Sequence, residues 1–265
     1  MPTLNTFFGT VLVEEENLKR AVEAELKEQF DAQSALNDPV GHARDLVTLT
    51  EFLARPVYEK MELFGLRFAK TIADGPVSFA PGPALEEGLS LFRIRAGVVV
   101  SNFNTSLRGL VAQLLQAGVA QDEIVGRLLF MFQQELPPFN TLVNGLRQAA
   151  ATGVQHVGQQ AYLQALASQT TVGVPNEADE EWVWVTVGDS KVCPDCESRH
   201  NQIKSLLQWR ALGLPKSGHS RCGERDRCLI MPAQFADEEI DLSQPVKLTK
   251  AKVAEIGERA AELGP

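Results

Sequence analysis

The stretch Glu181–Cys196, EWVWVTVGDSKVCPDC, marks the point where the character of the chain changes. Its first seven residues are rich in β-branched and aromatic side chains, which favour a strand. Its last four residues form a Cys-x-x-Cys motif, and all four cysteines of the 265-residue chain lie within residues 193–228. We therefore expect a small cysteine-containing module that begins with a strand.

The residues before this stretch have helical periodicity from residue 14 to about residue 170. Leu18, Val22, Leu26 and Phe30 recur every fourth residue, so they share one face of a first helix. A long helix is expected over 140–169. Its predicted inward-facing residues are Leu142, Leu146, Ala149, Ala150, Val154 and Val157.

The region between these two helices contains further helical patterns and several breaks. We expect helical structure over 43–73 with a break or kink at Pro56, and a loop or hinge over the proline- and glycine-rich residues 74–88. The next helix should end at Gly118, and Asp122 is a candidate N-cap for the one after it. Apolar side chains at helical spacing predict the buried faces of these two helices: Leu107, Leu110, Val111, Leu114 and Leu115 for the first, and Val125, Leu128, Leu129 and Phe132 for the second.

The sequence thus predicts a mainly α fold: a helical body followed by a small zinc-stabilised α+β module and a terminal helix. The predicted regions are an N-terminal helical region over 1–75, a helical domain over 90–175, a cysteine-rich module over 180–232, and a linker with a C-terminal helix over 233–265. A short helix over 205–212 should separate the two pairs of cysteines.

Charge and composition narrow the possible classes of function. The net charge of -9 argues against a protein whose whole surface binds nucleic acid, because such binding needs a basic face. Residues 191–228 differ, since eight basic and four acidic side chains give this segment a net charge of +4. These cations offset metal-bound thiolates or form a nucleic-acid patch. We find no export signal and no apolar run long enough to span a membrane, so we expect a reducing compartment.

The cysteine spacing, Cys-x2-Cys-x25-Cys-x5-Cys, predicts a structural zinc site. Cys193, Cys196, Cys222 and Cys228 supply four thiolates, which suit one tetrahedral Zn²⁺ with a closed coordination shell. His219 stands three residues before Cys222, so a set in which His219 replaces Cys228 is an alternative. We prefer the four sulfurs.

Three kinds of enzyme fit the sequence poorly, so we predict that the protein is not an enzyme. A zinc deaminase needs a His-x-Glu motif, and the sequence has none. A thioredoxin-like redox protein does not account for the second cysteine pair or the helical body. A cysteine nucleophile could use His200 or His219 as its base, but four clustered cysteines favour a metal site.

The C-terminal motifs WVWVTVGDSKVCPDC, GHSRCGERDRC and CLIMP resemble the signature of bacteriophage minor head proteins, the head morphogenesis family related to the F protein of phage Mu. The likeness covers roughly residues 105–232. The matching residues are Trp182 or Trp184, Asp189, Cys193, Cys196, His219, Cys222, Arg227, Cys228 and Pro232. The chain departs from the family in the spacing of its last two cysteines, and in the long helix it has Ala151–Thr152–Gly153 where the family often has Arg-Thr-Glu.

The resemblance implies a structural minor component of a phage head that acts in head assembly near the portal or in DNA delivery. It would be made in the host cytoplasm and enter the virion, contacting portal or capsid proteins and packaged DNA as part of a larger assembly. No role tied to the missing glutamate carries over to this chain. The alternative from another class is a zinc-dependent nucleic-acid-binding protein, and a phage-borne enzyme or toxin comes after it because only 33 residues follow Pro232.

Overall fold

The computed structural model describes residues 4–72, 81–169, 181–186, 192–215, 220–221 and 228–233. The elements in these ranges are, in chain order, α1 Leu4–Gln29, α2 Ala32–Asn37, α3 Pro39–Ile72, α4 Pro83–Gln116, α5 Gln121–Gln133, α6 Phe139–Gln169, β1 Glu181–Val185, α7 Pro194–Glu197, β2 Ile203–Ser205, α8 Leu206–Leu212 and β3 Leu229–Pro232. The fold is mainly helical with a small C-terminal sheet, as the sequence predicts.

The strongest sequence patterns correspond to real elements. The first stripe, from Leu18 to Phe30, is buried, and all six predicted inward-facing residues of α6 are buried. The predicted strand at residue 182 is β1, and the short helix between the cysteine pairs is α8. The predicted C-terminal helix, residues 249–263, lies outside the described residues.

The chain divides into two compact units that interleave along the sequence. Unit 1 consists of Met1–Val13, Lys60–Ala84 and Gln155–Pro265, and unit 2 consists of Glu14–Glu59 and Leu85–Val154. Helices α1, α3 and α6 therefore each contribute residues to both units. The predicted regions 1–75 and 90–175 each contain segments of both.

The core of unit 2 is built on aromatic side chains. Phe30 at the end of α1 stacks on Phe132 of α5 with a centroid distance of 4.0 Å, and its edge meets Phe139 of α6 at 5.2 Å. Helices α4 and α6 approach closely at Gly145, where an added Cβ would lie 2.6 Å from a methyl group of Val99. Glycine is required there because the β-branched neighbour leaves no room for a side chain.

The helical part of unit 1 has its own aromatic cluster. Phe7 of α1 packs against Phe64 and Phe68 of α3 and against Tyr162 of α6, with centroid distances of 5.5, 4.9 and 5.8 Å. Tyr162 is fully buried, and burial raises the pKa of its hydroxyl above the usual range. This cluster joins three helices that are distant in sequence.

The small sheet is antiparallel, with strand order β2-β1-β3. Trp184 on the central strand β1 is fully buried and lies 5.2 Å from the ring of Trp209 on α8. The indole Nε1 of Trp209 donates a hydrogen bond of 2.8 Å to the carbonyl oxygen of Trp182. These contacts fix α8 on the sheet, so the module has a hydrophobic core of its own.

Several local predictions in the body are wrong. Helix α3 continues through Pro56 without the predicted break, because its neighbours Ala54 and Tyr58 are fully buried and this packing outweighs the lost backbone hydrogen bond. The alternative, a kink at Pro56, stays a prediction. The predicted loop over 74–88 is too long, since α4 begins at Pro83, where the fixed φ of proline suits a first helical turn. Residues 74–80 of that loop lie outside the described residues.

Helices α4 and α5 also differ from the prediction in their caps and buried faces. The N-cap of α5 is Ala120, and Asp122 lies inside the first turn, where it interacts favourably with the helix dipole. Gly118 does follow the end of α4, with a φ of 77°. In the predicted stripe of α4, however, Leu107 is buried whereas Leu115 is 55% exposed. Helical spacing identifies an apolar face, but it does not say how far neighbouring helices cover it.

Candidate metal centre

The two cysteines of the Cys-x-x-Cys motif belong to one tight turn. Cys193 is the N-cap of α7 in an extended conformation, and Pro194 takes the first helical position. The amide of Glu197 donates to the carbonyl of Cys193 at 2.9 Å, which closes the turn around Cys196. Cys196 is fully buried and Cys193 is half-buried, and the thiol of Cys193 does not cap the helix. The turn therefore holds two sulfurs within one short element, as a zinc half-site requires.

A second segment is bound to this turn through Asp195, the residue just before Cys196. The backbone amide of Arg221 donates to Oδ2 of Asp195 at 2.8 Å, and the Nε of Arg221 lies 3.8 Å from Oδ1. Arg221 directly precedes Cys222 in the sequence. The structure thus brings the chain next to a third predicted ligand into hydrogen-bond contact with the motif that carries the first two.

Cys228 lies directly before β3 and is held from the helical body. It is only 2% exposed, and its carbonyl oxygen accepts a hydrogen bond of 3.0 Å from Nε2 of Gln155 on α6. Both residues belong to unit 1. The long helix that enters the module therefore also fixes the backbone of a predicted ligand.

Two of the predicted ligands, Cys222 and His219, lie outside the described residues. Cys193, Cys196 and Cys228 are not joined by disulfides. Within the described ranges, no group of three or more His, Cys, Asp and Glu side chains is arranged to hold a metal ion. The turn offers two cysteines that are free of disulfides, with one partner segment hydrogen-bonded beside them, which is the donor chemistry of half a zinc site.

Three basic side chains of the +4 segment make contacts within the module. The guanidinium of Arg199 donates to the carbonyls of Leu212 and Gly213 at 3.0 Å each, and its Cζ lies 5.1 Å from the ring centroid of Trp184. The ammonium of Lys204 lies 5.6 Å from the ring centroid of Trp209. Together with Arg221 on Asp195, these contacts give part of the positive charge a structural role.

The described histidines make structural contacts. In the module, Nδ1 of His200 accepts a hydrogen bond from the amide of Thr186 at 3.2 Å, which connects the end of β1 to the turn after α7. In unit 2, Nε2 of His42 accepts from the amide of Asp31 at 3.4 Å, and the ring meets Phe30 edge-on at 5.3 Å. Burial lowers the pKa of His42, and Asp31 and Asp45 partly oppose that shift.

The sequence analysis did not identify two residues that organise the site. A carboxylate between two cysteines suits a tight turn and can also accept a hydrogen bond from a backbone amide, and Asp195 does so for Arg221. Gln155 is a polar residue among apolar inward positions of α6, and it is only 2% exposed. A buried side-chain amide needs a hydrogen-bond partner, so a glutamine at an inward-facing position of the helical pattern indicates a hydrogen bond to another part of the chain.

The comparisons with known proteins add no assignment. No protein-family model, no curated protein and no solved structure shows significant similarity to this chain. Among the described helices, none combines the length and the apolar character needed to cross a membrane.

Proposed function

We propose that the protein is a structural minor head protein of a bacteriophage, in which one zinc ion stabilises the C-terminal module. The resemblance of the C-terminal motifs supports the head protein, and the hydrogen bond from Arg221 to Asp195 supports the zinc-stabilised module, because it ties the residue before Cys222 to the Cys193–Cys196 turn. Cys193, Cys196 and Cys222 would bind the metal, with Cys228 or His219 as the fourth ligand. Zinc would supply no chemistry beyond cross-linking, since four protein ligands leave no open position.

Zinc suits a module of this size and composition. The described sheet has three short strands, and its core depends on Trp184, Trp209 and the neighbouring apolar residues of β3. So small a unit buries little apolar surface, and metal binding would add folding free energy to that of its core. The contact from Gln155 to Cys228 would transmit that rigidity to α6.

The helical body would provide the contacts to portal or capsid proteins. In unit 2, Phe52 of α3 and Ile94 of α4 are 75% and 66% exposed, and Val98 follows one turn after Ile94 at 59% exposure. Phe52 and Ile94 each follow a partner of the Glu51–Arg93 ion pair, whose closest atoms are 2.6 Å apart. Exposed apolar side chains held beside a fixed ion pair are suited to protein contacts.

Co-expression with the portal and major capsid proteins of the same phage tests this proposal. We expect the protein to sediment with assembled heads in low copy number, and the double variant Phe52→Asp/Ile94→Asp to be folded but reduced in the heads. Gln113→Asp adds the same kind of charge at an exposed polar position of α4 and should be incorporated normally. A wild-type protein that remains at the top of the gradient while heads assemble would contradict the proposed function.

The alternative, a zinc-dependent nucleic-acid-binding protein, makes a different prediction. It requires the basic residues of segment 191–228 to face phosphates, and the contacts of Arg199 and Arg221 within the module weigh against that. Salt-dependent DNA binding by the full chain, lost when Arg221, Arg225 and Arg227 are reversed in charge, would favour the alternative.

A further inference from the structure

Asp195 lies inside the Cys193–Cys196 turn and also accepts a hydrogen bond from a segment distant in sequence. It lies between Cys193 and Cys196, and its Oδ2 accepts the backbone amide of Arg221 at 2.8 Å. Its own carbonyl oxygen accepts a hydrogen bond from the hydroxyl of Ser198 at 2.9 Å, so the turn is fixed on its other side as well. The carboxylate is thus presented from a rigid element to the chain segment that contains Arg221.

The contact depends on the backbone of residue 221 rather than on its side chain. The Arg221 side chain is 76% exposed, and its Nε lies 3.8 Å from the carboxylate, so solvent screens that ion pair. The amide hydrogen bond is shorter and has a charged acceptor, which makes it the stronger of the two interactions. An anchor of this kind fixes where the main chain runs and tolerates any residue at position 221 that keeps its backbone N–H, which excludes only proline.

We propose that Asp195 is a positioning residue of the metal site: it anchors the segment between His219 and Cys222 to the Cys193–Cys196 turn and thereby sets the metal affinity. This inference rests on the proposed function, since it assumes that these cysteines bind zinc. In this proposal Asp195 acts from outside the coordination shell, through the hydrogen bond that its Oδ2 accepts from the amide of Arg221. Residues that orient ligands from outside the coordination shell commonly control affinity in this way.

Zinc titration of the full-length protein against a chromophoric chelator tests the proposal. We expect Asp195→Ala to lower the zinc affinity by about 10- to 100-fold. Asp195→Asn should recover most of the loss, because an amide oxygen can still accept the hydrogen bond from residue 221. The absorption spectrum of the Co²⁺-loaded protein should change in Asp195→Ala and return towards the wild-type spectrum in Asp195→Asn.

Two matched variants separate anchoring from charge. Glu197→Ala removes the same charge from the same short helix at an exposed position, and Arg221→Ala removes the side chain but keeps the backbone amide. Both should bind zinc as the wild type does. Equal losses in Asp195→Ala and Glu197→Ala would overturn the proposal, because the effect would then be one of charge alone, and so would an unchanged affinity in Asp195→Ala.

Hydrogen exchange at the Arg221 amide, followed by NMR in metal-free protein, separates this inference from the proposed function. The anchor predicts faster exchange in Asp195→Ala than in the wild type, and equal exchange would overturn it even if zinc binds. If the wild type binds no zinc, the proposed function fails, and the role of Asp195 in metal binding fails with it. Exchange at the Arg221 amide that is slower in the wild type than in Asp195→Ala would still establish the anchor.

Discussion

Gly153→Ala should destabilise unit 2, although alanine is the better helix former. Gly153 lies on α6, and a Cβ there would overlap both the hydroxyl and the Cζ of Tyr58 and lie 2.8 Å from its Cε2. Tyr58 is fully buried, and its hydroxyl donates to the carbonyl of Ala150 at 2.7 Å. Carbon atoms need about 3.5–4.0 Å, so the overlapping Cζ forces the ring to move by roughly 1.5 Å, which breaks that hydrogen bond.

The expected magnitude follows from three contributions. Overpacking costs about 1–3 kcal/mol, and the lost hydrogen bond costs about 1 kcal/mol. The higher helix propensity of alanine returns about 1 kcal/mol. We therefore expect the free energy of unfolding to fall by about 2 kcal/mol, and Gly153→Glu, which places the glutamate of the resembling family at this position, to cost more.

Urea unfolding followed by circular dichroism measures this effect, with Gly109→Ala as the matched control. Gly109 lies on α4 in the same unit, is exposed, and has no atom within 4 Å of an added Cβ among the described residues. That variant should be more stable than the wild type by about 0.5–1 kcal/mol. Tyr58→Phe should reduce the cost of Gly153→Ala, since it removes the overlapping hydroxyl. Equal effects of the two alanine variants would refute the reasoning.

Two further predictions concern buried polar groups. Gln155→Leu should lower the free energy of unfolding, measured by urea titration, by about 2 kcal/mol, because the carbonyl of Cys228 loses its buried donor. The control is Gln159→Leu, one turn later on α6 and equally buried. It should be neutral or stabilising, since the Oε1 of Gln159 has no donor among the described residues. Burial lowers the pKa of His42 in the folded state. Between its ordinary value of about 6.5 and the lowered value, the unfolded chain therefore binds more protons at this residue than the folded protein does. The free energy of unfolding should fall as the pH drops through that interval. His42→Gln should flatten this dependence between pH 7.5 and 5.5, and a variant that loses as much stability as the wild type would exclude His42 as the cause.

The sequence predicted the elements whose patterns are strong and local. Periodic apolar residues located α1 and α6, and the β-branched and aromatic run located β1. Each of these patterns reflects the burial of one face of one element, which needs no knowledge of its partners. The position of the glycine that ends α4 was equally accessible, because a positive φ favours glycine.

The contacts that organise the site could not be predicted in the same way. The anchoring of Arg221 on Asp195 spans 26 residues, and the contact of Gln155 with Cys228 spans 73. Such pairs depend on tertiary packing, which a single sequence does not encode in any local pattern. The same reason explains Leu115, whose helical spacing predicted burial but which is exposed among the described residues.

The sequence also did not predict that segments of the two units alternate along the chain. One division, after Ala84, falls within the proline- and glycine-rich residues 74–88. The other divisions fall inside the continuous helices α1, α3 and α6. Proline and glycine residues often mark the ends of helices, whereas a division between compact units can fall within a continuous helix.

Metal analysis of the purified full-length protein tests the central claim most directly. The account predicts one equivalent of zinc per chain, strongly weakened in each of Cys193→Ser, Cys196→Ser, Cys222→Ser and Cys228→Ser and retained in His219→Ala. Loss of zinc in His219→Ala with full binding in Cys228→Ser would establish the alternative ligand set. A wild-type protein that binds no zinc, or whose cysteines are paired in disulfides under reducing conditions, would contradict the account.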